Sequence, residues 1–262
     1  VPGFNIPRAL DSIFKQGSAN VVVVNVFDAT AHTSQVTNEA QTVTNGKLKL
    51  AFSPIGAVTI KESDGTTAAT IVKDVDYTLD EFGNFVSLTN NANNSHVFKF
   101  SYKKLNAAAV NSSVIIGTID TGTDTRTGCK AFSLAKTVFG FSPKILIAPD
   151  YSSVNAIAVE LIAQAAALKA IALLDAPAAT TIAGAIAGRG IAGTINFNTS
   201  SKRAYLLYPY LKAYDPYSNT NVDYPYSQFM AGVISNVDIE NGYWWSPSNK
   251  EIKGIVGTER VI

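Results

Sequence analysis

The spacing of apolar residues changes twice along the chain, and this change limits the fold more than any single motif does. From about Asp28 to Leu105 no helical period is found. Asn, Thr, Ser and Gly punctuate short runs in which apolar and polar residues alternate: Lys47-Leu-Lys-Leu-Ala-Phe, Val58-Thr-Ile-Lys, Tyr77-Thr-Leu and Val97-Phe-Lys-Phe-Ser-Tyr. Successive strand side chains point to opposite faces, so alternation of this kind predicts strands with one wet face. Asn45-Gly, Ser63-Asp-Gly and Glu81-Phe-Gly-Asn supply the positive φ that tight hairpins require. Residues 28–105 therefore read as an all-β module, a small sandwich or barrel.

The flanks follow a different rule. Ala9, Leu10, Ile13 and Phe14 fall on one face of a short helix, and Val21–Phe27 is a β-branched run without polar alternation, the pattern of a strand buried on both sides. After Ala108 strands alternate with helices. Ser113–Gly117, Lys144–Ala148, Ile171–Asp175 and Ala204–Tyr208 read as strands, and Val154–Ala170, Ala178–Ala187 and Tyr226–Ile239 as helices. In Val154–Ala170 the residues Ile157, Leu161, Ala165 and Leu168 form one stripe. This rhythm predicts an α/β domain with a mostly parallel sheet covered by helices. Val21–Phe27 is too apolar to stand alone, so residues 1–27 and 106–262 are expected to form one discontinuous domain interrupted by the β module. Such an insertion is tolerated because loop-closure entropy grows only slowly with loop length.

Composition excludes several functions. Charged residues make up 16% of the 262 residues and the formal net charge is +1, with no basic run, which argues against a nucleic-acid partner. The longest apolar stretches, Ala156–Leu174 and Val21–Val24, are interrupted or short, so no membrane-inserted segment is expected. The single cysteine, Cys129, excludes an internal disulfide framework and fits a reducing compartment. The chain opens Val-Pro-Gly-Phe, without methionine or a charged leader, and is read as a piece of something longer.

Candidate chemistry is sparse. Gly188-Arg-Gly-Ile-Ala-Gly193 matches a dinucleotide-binding string, but a helix precedes it where a strand is needed, so a helix end and loop are the better reading. Ile119-Asp-Thr-Gly resembles half of an aspartic-protease site without its second copy; Asp120 and Asp124 more simply build a solvated turn. His32 and His96 both lie in the β module without ligand-spaced partners and are expected at its surface. The α/β part thus lacks the usual general base. Asp150, Asp175 and Asp215 each follow a strand, where open α/β sheets bind ligands, but Asp150 and Asp175 are better read as helix caps or turn acceptors. No cofactor, metal or catalytic residue is assigned.

Aromatic residues crowd the last sixty positions: Tyr205, Tyr208, Tyr210, Tyr214, Tyr217, Tyr224, Tyr226, Tyr243, Trp244 and Trp245. Such a cluster suits a subunit interface, a carbohydrate platform or packing of a long loop. Tyr208, Tyr210, Tyr214, Trp244 and Trp245 are the candidates for an interface.

Three blocks in this region resemble the sheath protein of contractile phage tails: Arg203-Ala-Tyr-Leu-Leu-Tyr-Pro-Tyr, Phe229-Met-Ala-Gly-Val-Ile-Ser-Asn-Val-Asp and Gly242-Tyr-Trp-Trp-Ser-Pro-Ser-Asn-Lys-Glu-Ile-Lys-Gly. Earlier blocks are similar in the same order. Leu10-Asp-Ser-Ile-Phe-Lys-Gln-Gly followed by Val21–Val26 resembles the family's helix and first core strand. Ile116-Gly-Thr-Ile-Asp, Thr127-Gly-Cys-Lys-Ala-Phe and Phe139-Gly-Phe-Ser-Pro-Lys-Ile-Leu-Ile-Ala-Pro continue the run. The resemblance implies a subtilisin-like α/β core without known chemistry, with the β insert decorating the outside. It also implies a structural subunit of a phage, prophage or tailocin tail, assembled in the host cytoplasm, that stacks helically around a tube and contracts to drive the tube through the host envelope. Its partners would be other sheath copies and the tail tube protein. Family members extend beyond both ends of this sequence, so a piece lacking their arms is expected to be a soluble monomer. An adhesin or carbohydrate-binding module using the Tyr and Trp cluster is the alternative reading.

Overall fold

In the computed structural model, which describes residues 3–89, 94–190 and 197–261, the chain separates into two units: Val1–Gly3 with Phe27–Val110, and Phe4–Val26 with Asn111–Ile262.

The first unit is built from six strands: β1 (Thr33–Thr42), β2 (Lys47–Lys49), β3 (Ile55–Lys61), β4 (Tyr77–Leu79), β5 (Asn84–Ser87) and β6 (Val97–Leu105). They form two antiparallel three-stranded sheets, ordered β1-β6-β3 and β2-β5-β4. The alternation in β6 sets the core, because Phe98, Phe100 and Tyr102 all turn inward, where they meet Val43, Leu50, Tyr77 and Phe85. Full burial of each such side chain contributes roughly 1.5–3 kcal/mol. Asn45 and Gly46 both take positive φ, 51° and 73°, which allows the tight turn into β2. β1 departs from the sequence reading. Its polar Thr-Ser-Gln-Val-Thr-Asn-Glu-Ala-Gln-Thr run carries little apolar periodicity, and it becomes a strand by pairing along β6 with a bulge between Val36 and Glu39.

The second unit holds α1 (Ile6–Gln16), α2 (Ser112–Ile116), α3 (Ala135–Phe139), β7 (Ile145–Leu146), α4 (Asn155–Leu168), β8 (Ile171–Asp175), α5 (Ile182–Ala187), β9 (Ala204–Leu207), β10 (Leu211–Asp215), β11 (Thr220–Tyr224), α6 (Tyr226–Asn241) and β12 (Gly257–Thr258). β7, β8 and β9 make a parallel sheet with β8 in the centre, as the strand–helix rhythm predicts. The sheet is smaller than expected, however. The chain after β9 folds into a separate antiparallel sheet ordered β11-β10-β12. The Tyr-rich composition of Leu211–Tyr224 conceals this hairpin, and its turn relies on Asn219 at φ 54°.

Two strand expectations are corrected. Ser113–Gly117 is the helix α2, because the Asn111 side chain accepts from Ser113 N–H and Val114 N–H and so starts a helical turn. Val21–Phe27 belongs to no strand among the described residues: Val21 and Val23 are exposed and Val22 and Val24 half-buried. Its β-branched residues satisfy strand propensity, but propensity alone does not make a strand.

The core of this unit lies between α1, α6 and the parallel sheet, where Ile13, Leu173, Leu207, Met230, Ala231, Val233 and Val237 cluster. α1 presents a different face from the one its apolar residues suggest. It buries Ala9, Ser12, Ile13 and Gln16 and leaves Phe14 exposed. The reason is the close approach of α6. A Cβ on Gly232 would lie 2.6 Å from the Ile13 carbonyl oxygen, so only glycine permits this helix separation. The buried polar groups at this helix contact are paired: Gln228 Nε2 donates to Ser12 Oγ at 2.8 Å, and Gln16 exchanges two 2.9 Å bonds with the Lys253 backbone, one to its carbonyl and one from its N–H.

Candidate functional site

At the C-terminal end of β8 the carboxylate of Asp175 is 2% exposed. Its Oδ1 accepts from Ser227 N–H at 2.8 Å, and its Oδ2 accepts from Ser227 Oγ at 2.6 Å and Ser152 Oγ at 3.0 Å. Ser152 Oγ in turn accepts from Asp175 N–H at 3.0 Å. The carboxylate thus joins the loop after β7, the end of β8 and the first turn of α6, satisfying one of the amides that every helix start leaves unpaired. No cation is among its hydrogen-bonding partners. Burial pushes the acid up to about 6, against the pull of its three hydrogen bonds, and nearby Asp150 adds to the rise.

Each of the other strand-end carboxylates is held by partners of its own. Asp150 occupies a left-handed turn at φ 68° and faces Arg8 at 3.6 Å. Asp215 closes the β10–β11 turn, accepting from Ser218 Oγ at 2.8 Å and Ser218 N–H at 3.2 Å. Asp120 accepts from Gly122 N–H and Thr123 N–H in an exposed turn next to Asp124, as the solvated-turn reading expects. Cys129 is buried, and its thiol is pushed up to about 11 by burial and by Glu160. Among the described residues no cluster of three His, Cys, Asp or Glu side chains could hold a metal ion, and no helix is long and apolar enough to cross a membrane.

The expectation of two surface histidines is half right. His96 is exposed and lies 2.6 Å from Glu62, but His32 is buried. Its ring is drawn in because Nδ1 accepts from Asp28 N–H at 2.9 Å while Asp28 Oδ1 caps Thr30 and Ala31, in a turn also closed by His32 N–H to Asp28 O at 2.8 Å. Of the glycine string, Gly188 ends α5 as a helix precedes it, and Gly193 lies outside the described residues.

The aromatic candidates separate into two groups. Tyr210 is buried, and Tyr208 is half-buried with its hydroxyl donating to Thr180 O at 3.1 Å. Neither offers much surface. Tyr214 is exposed, its hydroxyl 2.6 Å from Asn219 Oδ1. Trp244 and Trp245 are 73% and 55% exposed, and beside them Tyr243 is 84% exposed. α6 delivers these rings. It stops at Gly242, φ 94°, where the Trp244 ring lies so close that an added Cβ would be 2.6 Å from it. Tyr243 and Trp244 then meet edge to face at 5.2 Å, forming an apolar cap beyond the helix. Sequence reasoning missed Tyr243, Ser152 and Ser227. The first was visible as part of the cluster, whereas the serines become meaningful only once the fold brings them to Asp175.

The geometry shows buried polar junctions and an exposed aromatic cap, and similarity to known proteins points to a structural part. Residues 124–261 match the phage tail sheath protein central domain. The chain is 40% identical over 265 aligned residues, covering 99% of itself and 55% of the relative, to a tail sheath protein of Burkholderia phage BcepMu. It is 37% identical over 151 residues, 58% of itself and 37% of the relative, to a putative prophage major tail sheath protein of Pseudomonas aeruginosa strain UCBPP-PA14. The chain spans about half the length, or less, of these relatives. With the family's central domain matched over more than half of its residues, the chain belongs to the phage tail sheath family.

Proposed function

We propose that this chain forms the core of a structural subunit that stacks helically with copies of itself around a tail tube, and that contraction of the stack drives the tube through the host envelope. The observation that carries this reading is the 40% identity to a phage tail sheath protein across nearly the whole chain. In this reading the subunit works by exchanging one set of rigid-body interfaces for another. The parts described above suit such a role, with polar groups buried and paired and a helix approach fixed by Gly232. Residues 28–105 form an outward-facing insert in this proposal, and the exposed rings of Tyr214, Trp244 and Trp245 contribute to contacts between copies, where aromatic side chains are enriched.

The test is negative-stain electron microscopy of the full reading frame containing this chain, expressed alone. Hollow tubes with helical striations are the expected result. Dispersed particles at high protein concentration would reject the proposal.

A further inference from the structure

In the β unit, the outer face of the sheet β1-β6-β3 gathers lysines that are far apart in sequence. Side chains of β6 alternate, so Phe98, Phe100 and Tyr102 fill the core while Lys99, Ser101 and Lys103 point the other way. The antiparallel register sets Lys61 of β3 directly opposite Lys99, and Thr59 opposite Ser101. On the other side of β6, Gln35 of β1 lies opposite Lys103. One face thus carries Lys61 and Lys99 with Cβ atoms about 5 Å apart, and Lys103 roughly 13 Å further along the strand.

These charges lack acidic partners: among the described residues, Lys61, Lys99 and Lys103 form no ion pair. The carboxylates on the neighbouring stretches are engaged elsewhere. Glu39 accepts from the Tyr102 hydroxyl on the core side, Glu62 lies 2.6 Å from His96 Nε2, and Asp64 accepts from Thr66 N–H and Thr67 N–H of its own loop. Like charges directly opposite each other weaken a sheet, and Lys61 and Lys99 are both half-buried, where repulsion is screened less than in open water. The face also has donors to spare. A Cβ on Gly65 would lie 3.2 Å from both Lys99 Nζ and Asn38 Nδ2, so the ammonium and the amide come together above this glycine. Neither donates a hydrogen bond among the described residues, and Asn38, Thr59 and Gln35 are exposed around them.

We propose that this face binds an acidic polysaccharide, with Lys61, Lys99 and Lys103 pairing with carboxylates along the sugar chain and Asn38, Thr59 and Gln35 hydrogen-bonding the hydroxyls between them. Fixed cations separated by neutral hydroxyl and amide groups match a polymer in which charged groups alternate with hydroxyls. Nucleic acid fits less well, because the aromatic rings of β6 all turn into the core and leave none on this side for a base to stack on. This inference does not depend on the proposed assembly.

An NMR titration of the intact chain with oligogalacturonate tests it. The expected result is a saturable shift of the Lys61, Lys99, Ser101 and Lys103 amides at millimolar ligand, weakened by added salt, with neutral malto-oligosaccharide leaving them in place. The double variant Lys61→Gln/Lys99→Gln should bind at least about tenfold more weakly, with the Tyr77 and Phe85 amides of the opposite sheet keeping their positions as a check on folding. Absence of a saturable shift on this face overturns the proposal, as does binding that the variant leaves unchanged. Equal binding of the neutral sugar removes the role of the lysines and overturns it too. An oligoglutamate that binds as tightly assigns the face to an acidic protein, and a DNA oligonucleotide that does so assigns it to nucleic acid; either result also overturns it.

Discussion

Replacing Asp175 by Asn should stabilise the protein at neutral pH, although the side chain is buried and fully hydrogen-bonded. The native carboxylate is ionised at pH 8 while 2% exposed, and burial raises it from 3.8 to about 6. A rise of this size corresponds to roughly 3 kcal/mol by which ionisation disfavours the folded state. Because the folded-state value is the higher one, the stability that goes with the protonated acid is fully present below about pH 3.8 and lost as pH rises through about 6. An asparagine mimics the protonated acid. Its oxygen can accept from Ser227 N–H, and its amide can donate to the Ser152 and Ser227 hydroxyls that now donate to the carboxylate. The expected gain at pH 8 is ~1–3 kcal/mol, the lower figure allowing for weaker neutral hydrogen bonds, and it should shrink to near zero by about pH 4. Urea unfolding followed by circular dichroism at several pH values from 4 to 8 measures it. Parallel stability curves for parent and variant across this range, or a variant less stable by ~2 kcal/mol at pH 8, would refute the reasoning and mean that the donors hold the anion as well as water does.

Other expectations are simpler to check. Gly232→Ala places a Cβ 2.6 Å from the Ile13 carbonyl oxygen and should cost ~1–3 kcal/mol or more in chemical unfolding. Gln16→Ala strands the Lys253 N–H and carbonyl and should cost ~2–3 kcal/mol, with faster proteolysis between Trp245 and Gly257 as a second readout. Cys129, with its thiol near 11, has about one part in a thousand as thiolate at pH 8, so a thiol reagent should label it only at the rate of unfolding. Trp244→Ala together with Trp245→Ala should shift stability by under about 0.5 kcal/mol yet prevent tube formation by the full reading frame; tubes of normal appearance would remove these rings from the proposed interface.

What the sequence revealed depended on whether the signal was local. β6 and β8 were legible because alternation and an unbroken apolar run each encode a strand directly. α4 was legible from the stripe through Ile157, Leu161 and Ala165. β1 and the β10–β11 hairpin were not, since their strand character comes from partners in the ladder rather than from their own residues. Ser12, Gln16, Ser227 and Gln228 look like surface residues in sequence, and they are buried because each finds a hydrogen-bond partner remote in the chain. The candidate site followed the same division. Asp175 stood out as a strand-end carboxylate, but Ser152 and Ser227, 23 and 52 residues away, carry no pattern that points to it. The aromatic cluster was visible as composition, yet only the fold separates buried Tyr210 from exposed Trp244.

The grip of Gln16 on Lys253 defines a load path. The two groups are 237 residues apart in sequence and joined by a pair of 2.9 Å hydrogen bonds, and a few residues further on β12 is laced to β10. A pull along the segment after Trp245 therefore loads the Gln16–Lys253 bonds and the β10–β12 pairing. Tension entering at Lys253 passes into α1 and, across the Gly232 contact, into α6. A part wired in this way couples its C-terminal segment to the helix pair at the core.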